Sequence, residues 1–379
     1  MSKLAVLLLL AGFGSAACAA ACVTVEQVEQ LLSASRGLPD VKLAARISDL
    51  ELNERASSLR LSRWEKDFPG KHTREALLAL VDASAFLELP SSDIPAIEKP
   101  DAETRKQIFL RAIEYSKTTI HRLPDFSARR STTHFDDVSP IQKLLNEYLV
   151  DRRNGHKDTV LPPGALAANG SPRMRIGERS SIVVTYRDGH EVVDGEAGNH
   201  GKSELHGAGL TTFGEFGPIL SVVIADITHG KLYWGHWEQG ATGLQAVFRY
   251  EVPQEISHYT VLFRAGEKPQ TPAYHGEIAV DPANGTILRV ALVSQLIAPE
   301  AVETSTLVEY SSVAIGNGTY ICPVRGVALS RVPGSTVQLT SPDDEGRPAS
   351  YATIPPQTLV NDVSFTEYHV FHGDVRVLP

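Results

Sequence analysis

The densest group of ionisable residues lies in one glycine-rich stretch, residues 190–206. Three histidines, His190, His200 and His206, occur there with four acidic residues, and imidazole with carboxylate is a ligand set that zinc accepts. Their spacing matches no H-E-x-x-H signature, and the interspersed glycines are typical of a solvated polar loop. The stretch therefore predicts no metal site, and a metal-dependent hydrolase that uses the three histidines is the alternative hypothesis.

No other spacing in the sequence is typical of an enzyme. The sequence has no G-x-S-x-G nucleophile elbow, no Walker A motif and no G-x-G-x-x-G fingerprint, which are arrangements that present a nucleophile or bind phosphates. We therefore predict no catalytic residue and no cofactor. The formal charge of −9 at pH 7 argues against nucleic acid as a partner, because phosphate neutralisation requires a basic surface.

Four aromatic residues flank an apolar run and are the candidate ligand-binding residues. Phe213 and Phe216 precede residues 218–229, and Trp234 and Trp237 follow them. Aromatic walls with few polar groups suit a cavity for an apolar ligand, but aromatic side chains also dominate ordinary cores, and core packing is the simpler interpretation. Strand alternation predicts that Trp234 and Trp237 point to opposite faces.

Residues 1–21 have the composition of a secretory signal peptide. Lys3 precedes a short apolar run, and a stretch of small residues follows it, as at a cleavage site. Ordinary cleavage predicts an exported protein, periplasmic or extracellular. Cys18 also ends a lipobox-like sequence, so lipid anchorage to the envelope at this residue, with membrane association, is the alternative.

Export changes how the cysteines are interpreted, because disulfides persist outside the cytoplasm. Cleavage between Cys18 and Cys22 would leave two cysteines, Cys22 and Cys322. One hypothesis is a disulfide that joins the mature N-terminus to a late strand. The alternative is two unpaired thiols, one buried in a strand and one near the chain end.

The elements that position these residues fall into two regions. The 379 residues suffice for two domains, and residues 22–122 carry helix signals: Thr24 and Gln27 form a capping-box pattern, and apolar residues recur at helical spacing. Asp101 is expected to cap a long helix that ends near Arg122. The predicted helices span 25–32, 41–52, 54–68, 73–89 and 101–122.

Residues 123–379 predict a large, mainly antiparallel sheet. Two Asn-Gly turns, near Gly285 and Gly318, each join two apolar runs. Residues 218–229 interrupt the strands with one helix that is apolar almost all round, so it should be buried. Loops are expected near 154–172, 187–217 and 341–358. The predicted strands span 126–135, 181–186, 231–238, 244–252, 256–264, 274–280, 287–296, 304–315, 319–331, 336–339 and 363–378.

Three segments carry a resemblance to a known family. FSARRSTTHF at 126–135, IVVTYRDG at 182–189 and GEIAVDPANGTILR at 276–289 resemble the strand-turn-strand segments of bacterial envelope proteins of the outer-membrane lipoprotein-sorting type. The resemblance covers residues 120–379. The helical region before Leu123 and the insertion at 187–217 depart from the family pattern.

The resemblance implies an incomplete, half-barrel-like antiparallel sheet with helices over its concave apolar face. The expected fold class is therefore α+β, with a helical N-terminal region, a curved sheet and one buried apolar helix. The expected function is that of a non-enzymatic exported envelope protein that binds an apolar ligand, such as a lipid or acyl chain, or a lipidated partner. A structural or interaction module without a ligand cavity is the alternative, and the oligomeric state stays open.

Overall fold

The computed structural model describes most of the chain after the predicted signal peptide, and within these residues the α+β class is confirmed. Six α-helices and a large antiparallel sheet are present in this part. The described residues are 21–119, 123–138, 142–143, 174–187, 189–193, 210, 214–263, 268–297, 301–340 and 350–370.

The first part of the chain, residues 21–93, folds as a helical module with its own apolar core. The capping box is confirmed, because the Thr24 hydroxyl accepts a hydrogen bond from the Gln27 backbone and the Gln27 side chain accepts one from the Thr24 backbone. The module contains β1 (Ala21–Val23), α1 (Val25–Ala34), α2 (Asp40–Ile47), β2 (Leu50–Leu52), α3 (Ser58–Asp67), α4 (Lys71–Ala83) and a 3-10 turn (Ser91–Asp93).

The second helix is shorter than predicted. It ends at Ile47, and Leu50–Leu52 forms β2, which pairs in parallel with β1. Helical spacing of apolar residues does not reveal this, because the partner strand lies some thirty residues earlier in the chain. Two further helices follow the module, α5 (Ala102–Thr119) and α6 (Pro218–Ile227). Asp101 caps α5 as predicted, accepting a hydrogen bond from the Thr104 backbone.

Ten strands form one sheet in the order β5-β4-β3-β14-β11-β10-β9-β8-β7-β6, and every neighbouring pair is antiparallel. The last strand therefore lies between β3 and β11, in the middle of the sheet. A separate pair is formed by β12 (Ser335–Thr340) and β13 (Ser350–Ile354). The strands of the large sheet are β3 (Phe126–Asp136), β4 (Arg175–Arg187), β5 (His190–Val193), β6 (Lys231–Gly240), β7 (Gly243–Val252), β8 (Tyr274–Val280), β9 (Ile287–Gln295), β10 (Glu303–Ile315), β11 (Gly318–Val332) and β14 (Gln357–Val370).

Both predicted Asn-Gly turns are present. Gly285 has a φ of +81°, a region that suits glycine. In the second turn the positive φ, +59°, lies at Gly316, before the Asn-Gly pair, and Gly318 already pairs with Ile315 in the sheet. Gly285 has a second constraint, because a Cβ there would overlap the main chain of Arg111 in α5. The turn between β8 and β9 thus packs closely against helix α5.

The predicted strand at 256–264 is wrong. Residues Gln254–Ile256 form a 3-10 turn, and only Val261 makes an isolated bridge, to Gln270. The segment is tied to α6 instead, since the buried Asp226 carboxylate accepts hydrogen bonds from the His258 backbone and ring. The segment is thus held by hydrogen bonds to Asp226 of α6 and does not pair as a strand.

The loops predicted near 187–217 and 341–358 need a similar correction. Strand β5 lies in the first segment, and β13 together with the start of β14 lies in the second. Short strands of mixed polarity have too few residues to show an alternating pattern. The predicted loop at 154–172 lies outside the described residues, as do residues 1–20 of the predicted signal peptide.

The large sheet is covered on both faces. Adjacent residues Leu307 and Val308 show this, since they belong to different apolar clusters and alternate residues of a strand point to opposite faces. Val308 lies on the helix face, where α5 and α6 pack. Leu307 lies on the module face, where α4 of the helical module packs. No helix of the described residues is long and apolar enough to cross a membrane.

Candidate functional site

The two tryptophans of β6 lie on one face of the sheet, not on opposite faces as predicted. Trp234 pairs with Phe248 and Trp237 with Ala246, and the register shifts between Trp234 and His236. A bulge adds one residue to the strand and so reverses the alternation beyond it. The two rings pack edge to face with centroids 5.0 Å apart.

Phe216 packs elsewhere. Its ring is only 2% exposed and contacts Phe126 and Phe365, with centroid distances of 5.2 and 5.1 Å. These rings belong to a different apolar cluster from the one that Trp234 and Trp237 contact. Phe213 lies outside the described residues. The structure thus separates Phe216 from the two tryptophans.

The hypothesised disulfide is absent from the structure. Cys22 is an exposed free thiol in β1, and Cys322 is a buried free thiol in β11. Burial raises the pKa of the Cys322 thiol to about 12, so this sulfur has little thiolate character.

Two of the three histidines of the alternative metal site lie outside the described residues. His200 and His206 lie outside the described residues, and His190 is the first residue of β5. Among the residues that are described, no group of three or more His, Cys, Asp or Glu could hold a metal ion.

A feature that the sequence reasoning missed lies on the module face. Six neighbouring strands, β7, β8, β9, β10, β11 and β14, contribute one ionisable side chain each to a row across this face, and the charges alternate in sign along the row. We call this set the charge row: Arg249, Glu277, Arg289, Glu309, Arg325 and Asp362.

The strand register brings the members of the charge row together. Arg249 is directly opposite Glu277, and its Nε donates to the carboxylate at 3.1 Å. Glu309 lies directly between Arg289 and Arg325 on the neighbouring strands. Alternating signs in neighbouring strands convert like-charge repulsion into attraction across the sheet.

The helical module supplies partners for this row. Arg55 donates to Glu238 of β6 at 2.9 Å and lies 3.7 Å from Glu277. Glu88 pairs with Arg249, and Asp82 of α4 pairs with Arg325. Each of these module side chains thus lies against an ionisable side chain of the sheet, at the contact between module and sheet.

Glu238 is the most strongly held carboxylate of this interface. Burial alone would raise its pKa, but the charge of Arg289 and the hydrogen bonds from it, with Arg55 also contributing, hold the pKa of Glu238 far below its usual range. These groups are ion-paired and largely buried. Buried ion pairs of this kind suit a structural role, in which they hold the helical module in one position on the sheet. They suit chemistry on a substrate less well.

A groove opens where the helical module meets strands β3 and β4. Its volume is about 350 Å³, near the lower end of the range for small-molecule sites. Its polar residues are few: Ser48, His72, Glu75 and Arg175. The apolar lining consists of Ala44, Ala45, Ala76, Ala79, Phe135, Met174 and Ile176.

The small side chains on two helices create this groove. Ala76 and Ala79 are three residues apart in α4, hence on one helix face, and Ala44 and Ala45 line it from α2. Glu75 is already engaged, since Arg179 donates to its carboxylate at 2.5 Å. The groove therefore offers an apolar floor with charged groups among its lining residues.

A second pocket, of about 400 Å³, lies within the helical module and includes Arg36, Asp40, Asp67 and Thr73 among its lining residues. The Asp40 carboxylate accepts hydrogen bonds from the Thr73 hydroxyl and backbone and from the His72 backbone. These bonds, the Thr73 hydroxyl first, lower the pKa of Asp40. Asp40 thus caps the start of α4, a structural role.

No protein-family model, no curated protein and no solved structure matches this chain.

Proposed function

We propose that this chain is a non-enzymatic exported envelope protein that binds a small apolar ligand in the groove between α2, α4 and strands β3 and β4. The ligand class is the acyl chain of a lipid or of a lipidated partner. The observation that carries the proposal is the lining of the groove, in which seven of the eleven residues are apolar. Apolar pockets with a few polar groups are the usual form of small-ligand sites.

The groove sets the scale of the ligand. A volume of about 350 Å³ suits one acyl chain rather than a lipid with several chains. Burying a methylene contributes about 0.8 kcal/mol, so about eight buried methylenes contribute roughly 6 kcal/mol before the costs of association. The corresponding expectation is an affinity no tighter than about tens of micromolar.

The family resemblance supports the ligand class but not the position. It implies a half-barrel-like sheet whose ligand lies under helices on the concave face, and that curvature remains part of the proposal. On the helix face, however, Val223 of α6 is completely buried against the sheet cluster. The groove on the other face is therefore the proposed site.

Binding of a dansyl-labelled undecanoic acid, followed by its fluorescence, tests the proposal. Ala45→Trp places a large side chain in the groove from an exposed position of α2, so we expect at least a tenfold loss of affinity with an unchanged melting temperature. Ala102→Trp, at the exposed first residue of α5, is the matched control and should bind like wild type. Equal binding by both variants would place the ligand elsewhere.

A structural or interaction module is the second candidate. The filled packing of α6 against α5 and the sheet favours it, because that face has the form of an ordinary core. Native mass spectrometry of gently purified protein separates the two candidates. A co-purifying lipid supports ligand binding, whereas failure of the wild-type chain to take up any acyl probe supports the structural role.

A further inference from the structure

Asp82, a buried carboxylate next to the charge row, shares its arginine partner with two other carboxylates. Asp82 of α4 is completely buried, and its Oδ1 pairs with Arg325 of β11. Arg325 also donates to Asp362 of β14 at 3.0 Å and lies 3.7 Å from Glu309 of β10. One guanidinium thus serves three carboxylates.

The second oxygen of Asp82 shows the consequence. Among the described residues, Asp82 Oδ2 has no hydrogen-bond partner although it is buried. An ionised carboxylate can only accept hydrogen bonds, whereas a protonated one can donate. The neighbouring Asp362 carboxylate is the acceptor for such a donor. A proton on Asp82 therefore satisfies the buried oxygen and removes one negative charge.

Burial and the neighbouring charged groups change the pKa of Asp82 in opposite directions. Burial raises the pKa of Asp82 well above its ordinary value, Arg325 opposes the rise, and Asp362 and Glu309 add to it. Glu65 of α3 lies near Arg325 and Asp362, and burial raises its pKa as well. Arg74 opposes the rise at Glu65, Arg289 lies opposite Glu309, and Arg331 donates to the Ala83 carbonyl beside Asp82. At Asp82 itself, Arg325 is the cation that pairs with the carboxylate.

Helix α4 connects this cluster to the groove. Ala76 and Ala79 of α4 line the groove, and Asp82 follows Ala79 by three residues, a rise of about 4.5 Å along the helix. The opposite wall of the groove comes from Phe135, Met174 and Ile176, in or next to strands β3 and β4. Any shift of α4 against the sheet changes the width of the groove.

We propose, on the basis of the function proposed above, that Asp82 makes ligand binding acid-dependent. With a proton on Asp82, α4 stays seated on the sheet and the groove keeps both walls. Loss of the proton leaves three carboxylates around Arg325, and their repulsion loosens the contact between α4 and strands β11 and β14. The ligand is held at lower pH and released as the pH rises.

Proton linkage sets the direction in which ligand affinity changes with pH. Because the folded state holds the proton on Asp82 more tightly than the unfolded state does, the seated form of α4 is favoured below the raised pKa and weakens as the pH rises through it. One proton is lost, so affinity falls by up to about tenfold per pH unit over that range. Ligand binding in turn favours protonation of Asp82.

The test compares wild type with Asp82→Asn, whose amide donates to Asp362 as the protonated acid would. Affinity for N-phenyl-1-naphthylamine, an apolar probe without a titrating carboxylate, is measured from about pH 5 to about pH 9, together with hydrogen exchange of α4 without probe. We expect affinity and protection of α4 to fall with pH in wild type and to stay constant in Asp82→Asn. Asp67→Asn, at a more exposed position of α3, should behave like wild type.

The outcomes distinguish this inference from the proposed function. Probe binding with no pH dependence in wild type overturns the inference and leaves the groove as a ligand site. Protection of α4 that falls with pH in wild type but not in Asp82→Asn, with no probe binding at any pH, supports the role of Asp82 and overturns the groove as a ligand site. Should Asp82→Asn fail to fold, Asp362→Asn replaces it, and the expected result is a midpoint shifted to lower pH.

Discussion

Both terminal guanidinium nitrogens of Arg289 in β9 donate hydrogen bonds to the Glu238 carboxylate in β6, at 2.6 and 2.7 Å. Two strands lie between β9 and β6 in the sheet. Arg55 of the helical module donates to the same carboxylate at 2.9 Å. This three-residue contact joins the module to the edge of the sheet, and all three side chains are buried.

Removing the charge of Glu238 should strongly destabilise the fold. Glu238→Gln leaves Arg55 and Arg289 with less compensating charge in a buried site, and breaking a buried pair typically costs about 3–5 kcal/mol. Urea unfolding at neutral pH measures the loss. Glu251→Gln, which removes an exposed partner of Lys231, is the control and should change the free energy of unfolding by less than about 1 kcal/mol. Equal effects of the two variants would contradict a buried ionic contact.

The same carboxylate predicts a pH dependence of stability. Because the folded pKa of Glu238 is lowered, its contribution is present above the unfolded value of about 4.3 and is lost as the pH falls through the folded pKa. The difference in unfolding free energy between wild type and Glu238→Gln should therefore shrink below about pH 4. Urea titrations at several acidic pH values measure it, and a constant difference would argue against the lowered pKa.

Gly285 should tolerate no side chain. Gly285→Ala forces an alanine into the φ of +81° and against the main chain of Arg111, so we expect a loss of about 2 kcal/mol or more, from backbone strain together with steric overlap. Gly37→Ala is the matched control, because a Cβ there meets nothing within 4 Å. Thermal unfolding of both variants decides the point, and two similar melting temperatures would disprove the close approach of α5.

The two cysteines should differ in reactivity. At about pH 8, iodoacetamide should modify the exposed Cys22 in the native protein and leave Cys322 intact, because burial raises the pKa of Cys322 to about 12 and the thiolate is the reactive form. Peptide mass spectrometry gives the sites of modification. Protection of both residues in denaturant until a reductant is added would instead establish the disulfide.

Substitution of a tryptophan on the helix face should leave ligand binding unchanged. Trp234→Phe keeps an aromatic ring against Phe248, and the residue does not line the groove. We expect wild-type affinity for the dansyl-labelled fatty acid together with a modest loss of stability. A tenfold loss of affinity without unfolding would return the ligand site to the aromatic residues.

Much of the local structure followed from short stretches of sequence. The capping box of Thr24 and Gln27, the Asn-Gly turns and the apolar helix α6 each depend on residues within a few positions of one another. The alternation of most strands was visible for the same reason. The candidate site was not visible, because a single charged residue in a strand has the pattern of a solvent-facing position.

The sequence by itself determined the α+β class, most of the helices and strands and their caps and turns, because these depend on contacts between near neighbours. Only the tertiary structure decided that β14 lies between β3 and β11 and that Arg289, Glu309 and Arg325 form one row. It also decided that Gly235 lies at the bulge which turns Trp237 to the face of Trp234. Strand order and register depend on pairings between residues far apart in the chain, which no local pattern encodes.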